Sequence, residues 1–346
     1  MLNKLILIVF FHAFLTLDTY AQGLKIKLTE HNSNVETVVY SSNGQFLATG
    51  DLSGLINLYT IDSFGNPNFK QSFSGHLDAV LSLWFSKNNN YIVSCGKDFS
   101  ARIWNIDTPD LNKTFNNNVE AVKNAFLDPS GKYIITCCTD GTIKSTNIND
   151  IKKTKIISVG KPLNDVLLSN DKKFYYATKG SIVLKIDAMT GKTVTEFIGH
   201  KDAINALDIS PDGITLVSAS SDKTIKTWDL TLEKEIKTFI GYEWKVTSVE
   251  FSADGKYILG GCNTGETKLF ETETGKEVGS FKALGKNVKD VAFSANSEQI
   301  AIATSMDVEK YGALIYNSGV EIIAPIVPSK KTGTTTPKST KPLQKK

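Results

Sequence analysis

Two sets of residues in this chain have the types that nucleophilic catalysis uses. They share one spacing and are His76, Ser94 and Asp98, and His200, Ser218 and Asp222. Serine, histidine and aspartate can form a hydrolytic triad when they meet beside a substrate. A spacing that recurs within one chain instead indicates a repeated structural position, which His31 also occupies, whereas His12 lies near the N-terminus. These sets therefore raise the question of which elements position them.

A pattern of two apolar runs separated by a turn occurs seven times. The second run opens at Phe46, Tyr91, Tyr133, Phe174, Thr215, Tyr257 and Gln299, at intervals of 45, 42, 41, 41, 42 and 42 residues. Unrelated segments would not keep one period over this length, so the chain contains seven copies of one unit.

Within each unit the apolar residues alternate with a period of two, as in KYILGG, which indicates strands. Asn43-Gly44, Asp212-Gly213 and Asp254-Gly255 are pairs typical of tight hairpins. One four-stranded sheet buries little surface, whereas seven around an axis bury both faces of each sheet. We predict an all-β fold, a seven-bladed β-propeller of four-stranded antiparallel blades.

The second and fifth units resemble the WD-repeat family. The resemblance rests on Gly75-His76 with Trp104-Asn105 and on Gly199-His200 with Trp228-Asp229, and it extends over roughly residues 24–317, about 85% of the chain. It implies a buried hydrogen-bond chain in each unit, formed by His76, Ser94, Asp98 and Trp104, and by His200, Ser218, Asp222 and Trp228. Serines enclosed in this way lack access to substrate, so we expect no catalytic residue, no metal site and no cofactor.

The other units keep less of this pattern. The resemblance assigns to blade one His31, Thr49, Ser53 in place of Asp and Tyr59 in place of Trp; to blade three Asn118, Thr136, Asp140 and Thr146; and to blade six Tyr242 and Phe270. It also implies that the N-terminal strand, residues 24–28, closes the last blade. The segment from Val320 to Val327 is then surplus, or an extra edge strand.

The two ends of the chain do not belong to the repeats. Residues 1–21 combine Lys4, an apolar run from Leu5 to Leu17 and a small residue at Ala21, as secretory signal peptides do. We expect cleavage after Ala21, a secreted or periplasmic protein, and no stable membrane insertion once the signal is removed. Residues 22–328 then form the propeller, and residues 329–346 form a disordered basic tail rich in Lys, Thr and Pro.

The net charge of +3 hides an uneven distribution. The tail carries six lysines and no acid, and the signal segment carries no net charge, which leaves −3 for the propeller. An acidic propeller disfavours nucleic acid as a partner. The four cysteines are expected to be small core residues, with Cys137 and Cys138 on opposite faces of a strand.

In this family, the loops leading into the blades and the turns before the Asp position meet on one rim. The candidate partner-binding residues there are Asp78, Lys97, Glu120, Thr139, Asp202, Ser221, Tyr242, Trp244 and Lys286. Trp244 occupies a position that carries acids in other units, so the fold does not need an aromatic residue there. Exposed Trp and Tyr favour interfaces. We therefore expect that Trp244→Ala weakens partner binding and leaves melting nearly unchanged.

These observations favour a non-catalytic platform that binds a protein or peptide partner, as a monomer or within a larger complex. Three alternatives stay open. The propeller could be a metal-dependent hydrolase or lyase with carboxylates at the channel mouth. It could be a cytosolic scaffold if the N-terminus is not a signal. Tyr242 and Trp244 could simply cover a weak sixth blade.

Overall fold

The computed structural model describes residues 25–28, 30–108, 111–282, 287–305 and 319–323. The expected signal peptide, the expected basic tail and Lys286 lie outside these residues. Within them the chain forms twenty-eight strands and no α-helix. No helix in this part has the length and apolar character needed to span a membrane.

The strands are grouped in seven four-stranded sheets. Blades one to three contain β2 (Val35–Tyr40), β3 (Phe46–Asp51), β4 (Ile56–Ile61) and β5 (Pro67–Phe73); β6 (Val80–Phe85), β7 (Tyr91–Gly96), β8 (Ala101–Asn105) and β9 (Lys113–Phe115); and β10 (Val122–Leu127), β11 (Tyr133–Cys138), β12 (Thr142–Asn147) and β13 (Asp150–Ser158). Blades four and five contain β14 (Val166–Leu168), β15 (Phe174–Lys179), β16 (Ile182–Asp187) and β17 (Thr193–Ile198); and β18 (Ile204–Ile209), β19 (Thr215–Ser220), β20 (Ile225–Asp229) and β21 (Lys234–Phe239). Blades six and seven contain β22 (Val246–Phe251), β23 (Tyr257–Cys262), β24 (Glu266–Glu271) and β25 (Glu277–Lys282); and β26 (Asn287–Phe293), β27 (Ile300–Ser305), β28 (Gly319–Ile323) and β1 (Lys25–Lys27).

This topology confirms the predicted propeller of antiparallel four-stranded blades. The first strand of each blade lies innermost, and each strand pairs with its neighbour along the chain. The exception is β1, which pairs with β28 and so joins the start of the chain to its last blade, as predicted. Closure of this kind covers the sheet faces that the first and last blades of an open array would expose.

The expectation that Val320–Val327 is surplus was wrong. Gly319–Ile323 is the third strand of blade seven, paired with β27 on one side and β1 on the other. Thirteen residues, 306–318, separate β27 from β28, whereas three separate β23 from β24 in blade six. The long connection moves the third strand of blade seven further along the chain than in the other blades. A prediction based on a constant repeat length therefore expects that strand before Gly319.

The core lies between the blades. Leu58 of blade one packs with Leu83 and Trp104 of blade two, and the ring closes where Leu47 of blade one packs with Ala301 of blade seven. Burying one such leucine stabilises the fold by roughly 1.5–3 kcal/mol, so the ring is stabilised mainly through contacts between blades.

The cysteines are part of this core. All four are buried and unpaired. Cys137 packs toward blade four and Cys138 toward blade two, so neighbouring residues of β11 face opposite sides, as predicted.

Candidate functional site

The two complete hydrogen-bond chains of blades two and five have almost identical geometry. His76 Nε2 lies 2.7 Å from Ser94 Oγ, and His76 Nδ1 lies 2.9 Å from Asp98 Oδ2. Trp104 Nε1 donates to the same Ser94 Oγ at 2.7 Å. In blade five, the distances from His200 to Ser218 and Asp222, and from Trp228 to Ser218, are all 2.8 Å. The structure thus brings together each set in the implied order.

These sets are arranged for structure rather than for catalysis. Both serines are buried, and each hydroxyl contacts a histidine and an indole inside its own blade. Burial disfavours the imidazolium form and lowers the pKa of His76 and His200, even though each has an aspartate beside it. A serine held in this way presents no nucleophile to a substrate. Each chain instead joins the loop before a blade to the second strand, to the third strand and to the turn between these two strands.

Blade one differs from the assignment that places Ser53 at the aspartate position. His31 Nδ1 contacts Asp51 Oδ2 at 2.8 Å, and His31 Nε2 contacts Thr49 Oγ1 at 2.6 Å. Ser53 donates its backbone N–H and its hydroxyl to Asp51 Oδ1. The carboxylate therefore comes from the end of β3, two residues earlier in the chain. The separation of His and Asp is 20 residues here and 22 in blades two and five, and that shift hid Asp51 in the sequence.

Blade three replaces the chain with different contacts. Cys138 Sγ donates to Asn118 Oδ1 at 3.4 Å, and Asn118 Nδ2 donates to the backbone oxygen of Phe99 at 3.3 Å. Thr136 Oγ1 is buried without a hydrogen-bond partner among the described residues. The Asn118 side chain consequently links the end of its own second strand, at Cys138, to the turn of blade two.

Tyr242 is not an exposed candidate, contrary to the expectation. Only 6% of its surface is accessible, its hydroxyl donates to Gly260 O at 2.9 Å, and its ring meets Phe270 edge to face at 6.1 Å between centroids. Tyr242 therefore takes the place that histidine has in blades two and five. Because Gly260 stands where those blades have serine, the larger phenol has room to enter the blade.

Trp244, two residues later, is on the surface. It is 57% exposed, and Lys223 Nζ lies over its ring, 5.8 Å from the ring centroid. The two aromatic residues of this loop thus have different surroundings: Tyr242 fills the blade, and Trp244 is accessible.

The remaining candidates lie at the same end of the ring, which we call the upper rim. It consists of the loops that lead into each blade and of the turns between the second and third strands. Asp78, Lys97, Glu120 and Asp202 are exposed, and Thr139 and Ser221 are partly exposed. Thr139 donates its hydroxyl to Glu120 Oε2 at 2.8 Å.

Three exposed apolar residues on this rim were not found from the sequence. Leu77, Phe99 and Val119 are 89%, 47% and 71% exposed. Leu77 N donates to Asp98 Oδ2 at 3.1 Å, next to Phe99, and Asn118, next to Val119, donates to Phe99 O. These bonds hold three loops of blades two and three together. We call Leu77, Phe99 and Val119 the apolar cluster.

The backbone of Phe99 is strained. Its φ is +64°, in the left-handed region that an aromatic side chain rarely adopts. The equivalent residues of other blades are Gly54, Gly141, Lys223 and Gly265, all with positive φ. The turn therefore imposes this conformation in every one of these blades. An aromatic residue is unfavourable in this conformation. The sequence signal for Phe99 is that a phenylalanine stands where three other repeats have glycine.

The inner strands contain a second feature that the sequence did not reveal. Each of four carboxylates accepts a backbone N–H of the next blade: Asp165 from Leu207 at 2.8 Å, Asp208 from Phe251 at 2.7 Å, Glu250 from Phe293 at 2.6 Å, and Asp290 from Val38 at 3.2 Å. Burial raises the pKa of Asp165 to about 6 and that of Asp208 to about 7, and it also raises the pKa of Glu250 and Asp290. We call these four residues the channel carboxylates.

The central channel does not group these carboxylates as metal ligands. Of the four, Asp165 and Asp290 line its cavity of about 280 Å³. The other charged residues of the lining are Glu36, Lys123, Lys245 and Lys289, and Glu36 forms an ion pair with Lys289 at 3.2 Å. Across the described part of the chain, no three His, Cys, Asp or Glu side chains are placed to hold one metal ion. The oxygens of the channel carboxylates are directed at backbone and hydroxyl donors of neighbouring blades.

Comparison with known proteins agrees with this architecture. The family model described as WD domain, G-beta repeat matches residues 23–60, 67–105, 110–145, 191–229 and 233–271, in blades one, two, three, five and six. Relatives include U3 small nucleolar RNA-associated protein 21 of Saccharomyces cerevisiae, which is 29% identical over 202 residues, 58% of this chain and 17% of the relative. Striatin of Homo sapiens is 25% identical over 232 residues, 58% of this chain and 28% of the relative.

A third relative, polyadenylation factor subunit 2 of Candida albicans, is 32% identical over 77 residues, 22% of this chain and 13% of the relative. The chain thus matches less than a third of the length of each of these proteins. The matched repeats cover more than half of the chain, and they coincide with blades whose hydrogen-bond chains and strand order the structure describes. The chain belongs to the WD-repeat family.

Proposed function

We propose that the protein is a non-catalytic platform that binds a protein or peptide partner through its upper rim. The observation that carries this proposal is the apolar cluster. Leu77, Phe99 and Val119 expose apolar side chains that the fold does not use, and Phe99 does so from a strained backbone. The fold requires a left-handed residue at this turn but not an aromatic one, and a phenylalanine where glycine would be unstrained is characteristic of a functional position. Grouped exposed apolar side chains are characteristic of interfaces.

The relatives and the charge distribution support a protein partner. The name of polyadenylation factor subunit 2 places that relative in an assembly of several chains. The name of U3 small nucleolar RNA-associated protein 21 associates that protein with an RNA. The net charge of −3 outside the signal and tail gives this propeller no electrostatic attraction for phosphates, so we favour a protein over a nucleic acid.

The platform is tested by variants that separate stability from binding. Phe99→Gly relieves the left-handed strain, so the free energy of unfolding should rise by about 1 kcal/mol, while the loss of a central aromatic anchor should weaken partner capture about tenfold. Trp244→Ala should likewise weaken capture with little change in melting, since Trp244 is mostly exposed. Capture is measured by quantitative pull-down from the exported fraction, and stability by urea unfolding.

Lys172→Gly is the matched control. It makes the same change of backbone where φ is +63°, in the turn between the first and second strands of blade four, outside the upper rim and without removing an aromatic side chain. It should be stabilised like Phe99→Gly and should keep full capture. If Phe99→Gly and Trp244→Ala both retain full capture, the upper rim is not the binding surface and the proposal is wrong.

We also propose that the protein is exported and that residues 1–21 are removed. Cleavage after Ala21 would leave Gln22 as the first residue, three residues before β1 begins at Lys25. The strand that closes the ring would therefore survive processing.

The export proposal predicts the N-terminus of the purified protein. Mass spectrometry of protein recovered from the exported fraction should show a chain that begins at Gln22, as glutamine or as its cyclised pyroglutamate form. The matched variant Ala21→Arg should block cleavage, because signal peptidases require a small residue before the cleaved bond. A chain that stays in the cytosol with Leu2 or Met1 at its start would contradict export and favour the cytosolic scaffold.

A further inference from the structure

A cleft between blades two and three opens on the lower rim, the end of the ring opposite the apolar cluster. Its volume is about 680 Å³, within the range of small-molecule sites. Trp84, Tyr91, Ile103, Leu127 and Ile148 form its apolar walls. Trp84 is one of four tryptophans, and it takes no part in the hydrogen-bond chains of Trp104 and Trp228. The cleft is therefore a second candidate site, separate from the upper rim.

The cleft results from a short outer strand in blade two. β9 has three residues, whereas β5 and β13 in the adjacent blades have seven and nine. The third strand, β8, pairs with β9 only as far as Ile103. Its last residue is Asn105, whose N–H donates to the side-chain oxygen Asn112 Oδ1 at 2.8 Å instead of to a strand partner. The short outer strand thus leaves the lower end of the blade uncovered although the Asn105 N–H is paired, and Leu111 is exposed beside it.

The polar groups around the cleft leave positive charge uncompensated. The single carboxylate of the lining, Asp128, accepts four hydrogen bonds from residues 130–133 of its own turn. Lys113 Nζ donates to two neutral oxygens, Ile148 O at 3.2 Å and Asn149 Oδ1 at 2.7 Å. Lys87 is exposed and forms no ion pair within the described residues. A ligand with an anionic group would compensate these two ammonium charges.

The backbone around the cleft is already paired, which argues against an extended peptide. Ser86 N donates to Tyr91 O and Asp128 N donates to Tyr133 O, so both hairpins at the lower rim are closed. Ile106 N and Ile148 N donate to Asn90 O and Lys132 O. Strand addition needs a row of free N–H and C=O groups. A small ligand that relies on apolar contact and charge fits the site better.

We propose that this cleft binds a small amphiphilic carboxylate. Its apolar chain or ring lies against Trp84 and Leu127, and its carboxylate pairs with Lys87 and Lys113. This site is independent of the upper rim, so the propeller carries a small-molecule site on one end and a protein-binding surface on the other. The probe that tests it is decanoate, whose ten carbons fit the volume of the cleft.

Titration of the full chain with decanoate should change Trp84 fluorescence in a saturable way, and calorimetry should give one site. Trp84→Phe should abolish the fluorescence change and keep the calorimetric signal. Lys87→Gln should weaken binding about threefold, as expected for one partly exposed ion pair, and Lys87→Arg should restore it. Lys132→Gln removes an exposed lysine from the same turn as Asp128, outside the lining, and should bind like the unchanged chain.

Three results would overturn the proposal. Decanol binding as tightly as decanoate would show that the lysines do not recognise the carboxylate. No saturation by decanoate up to its millimolar solubility would show that the cleft does not hold such a ligand. Tighter competition by an acetylated Leu-Phe-Asp peptide than by decanoate would show that the cleft is a peptide site. Because none of these readouts involves capture on the upper rim, they test this inference apart from the proposed function.

Discussion

Replacing Gly260 by alanine should destabilise the protein by about 2 kcal/mol, because the change adds an atom to a filled space. A Cβ at Gly260 would overlap the Tyr242 hydroxyl and the end of the Ile225 side chain. Blades two and five have serine at this position and a histidine above it. In blade six the phenol of Tyr242 occupies the volume of both groups, and its hydroxyl reaches Gly260 O directly. Urea unfolding measures the loss.

A double-mutant cycle separates the two overlaps. Tyr242→Phe alone removes one buried hydrogen bond and should cost about 1 kcal/mol. Together with Gly260→Ala it should cost less than the sum of the single changes, with a coupling of about 1 kcal/mol, since the hydroxyl that meets the new methyl is gone. Gly131→Ala is the control: its Cβ would meet nothing within 4 Å, so its cost of about 1 kcal/mol comes from the backbone φ of +67° and should not couple to Tyr242→Phe.

The cycle also identifies what would contradict this explanation. If the effects of Gly260→Ala and Tyr242→Phe on the free energy of unfolding are additive, the new methyl group does not clash with the Tyr242 hydroxyl, and the destabilisation comes from its overlap with Ile225. Ile225→Val would then relieve it instead. If Gly260→Ala has no effect, the pairing of a large tyrosine with a glycine does not determine the packing of blade six.

The propeller itself was predictable because its information is periodic. A period of about 42 residues and apolar alternation define the units, and the resemblance of blades two and five to the WD-repeat family implies their hydrogen-bond chains. Departures from the period were not predictable. Asp51 takes the role expected at Ser53 from two residues away, and the long connection before β28 moves the third strand of blade seven.

The candidate surface was predicted only in part, for a physical reason. Aromatic type suggested both Tyr242 and Trp244, but whether the side chain enters the blade depends on Gly260, which lies eighteen residues further along the chain. Phe99 was overlooked because strain is a property of its backbone, which the residue type alone does not report. The channel carboxylates contact residues about 42 positions away, and on a strand with polar and apolar alternation they resemble solvated acids.

The channel carboxylates make stability depend on pH in a defined direction. A carboxyl group whose pKa is raised by folding keeps its proton in the folded state after the unfolded chain has lost it. The free energy of unfolding therefore falls as pH rises from the unfolded value near 4 through the folded value. Burial raises the pKa of Asp208 to about 7 and that of Glu250 well above its usual range, with Asp208 and Asp290 adding repulsion to Glu250.

In the window from pH 6.5 to pH 8.0 the carboxylates dominate the pH dependence. The lowered pKa of His76 and His200 acts in the opposite direction, mostly near and below pH 6.5, because the unfolded histidines take up protons that the folded ones do not. Above pH 8 the thiols begin to contribute, since burial raises the pKa of Cys95 and Cys137 above that of unfolded cysteine. Between these limits the free energy of unfolding should fall, with Asp208 contributing about 1 kcal/mol and the raised pKa of Glu250 adding to the fall.

Asp208→Asn should reduce this fall by about 1 kcal/mol, because an amide does not titrate while its oxygen can still accept the N–H of Phe251. Asp212→Asn is the matched control in the same blade. Hydrogen bonds from Ser210 and Ile214 lower the pKa of Asp212, so it is ionised in both states throughout the window and its removal should leave the slope unchanged. The measurement is urea unfolding at four pH values from 6.5 to 8.0. A free energy of unfolding that rises with pH in this range, or an equal slope for Asp208→Asn and the unchanged chain, would show that these carboxylates are ionised in the folded ring and join the blades as charged acceptors.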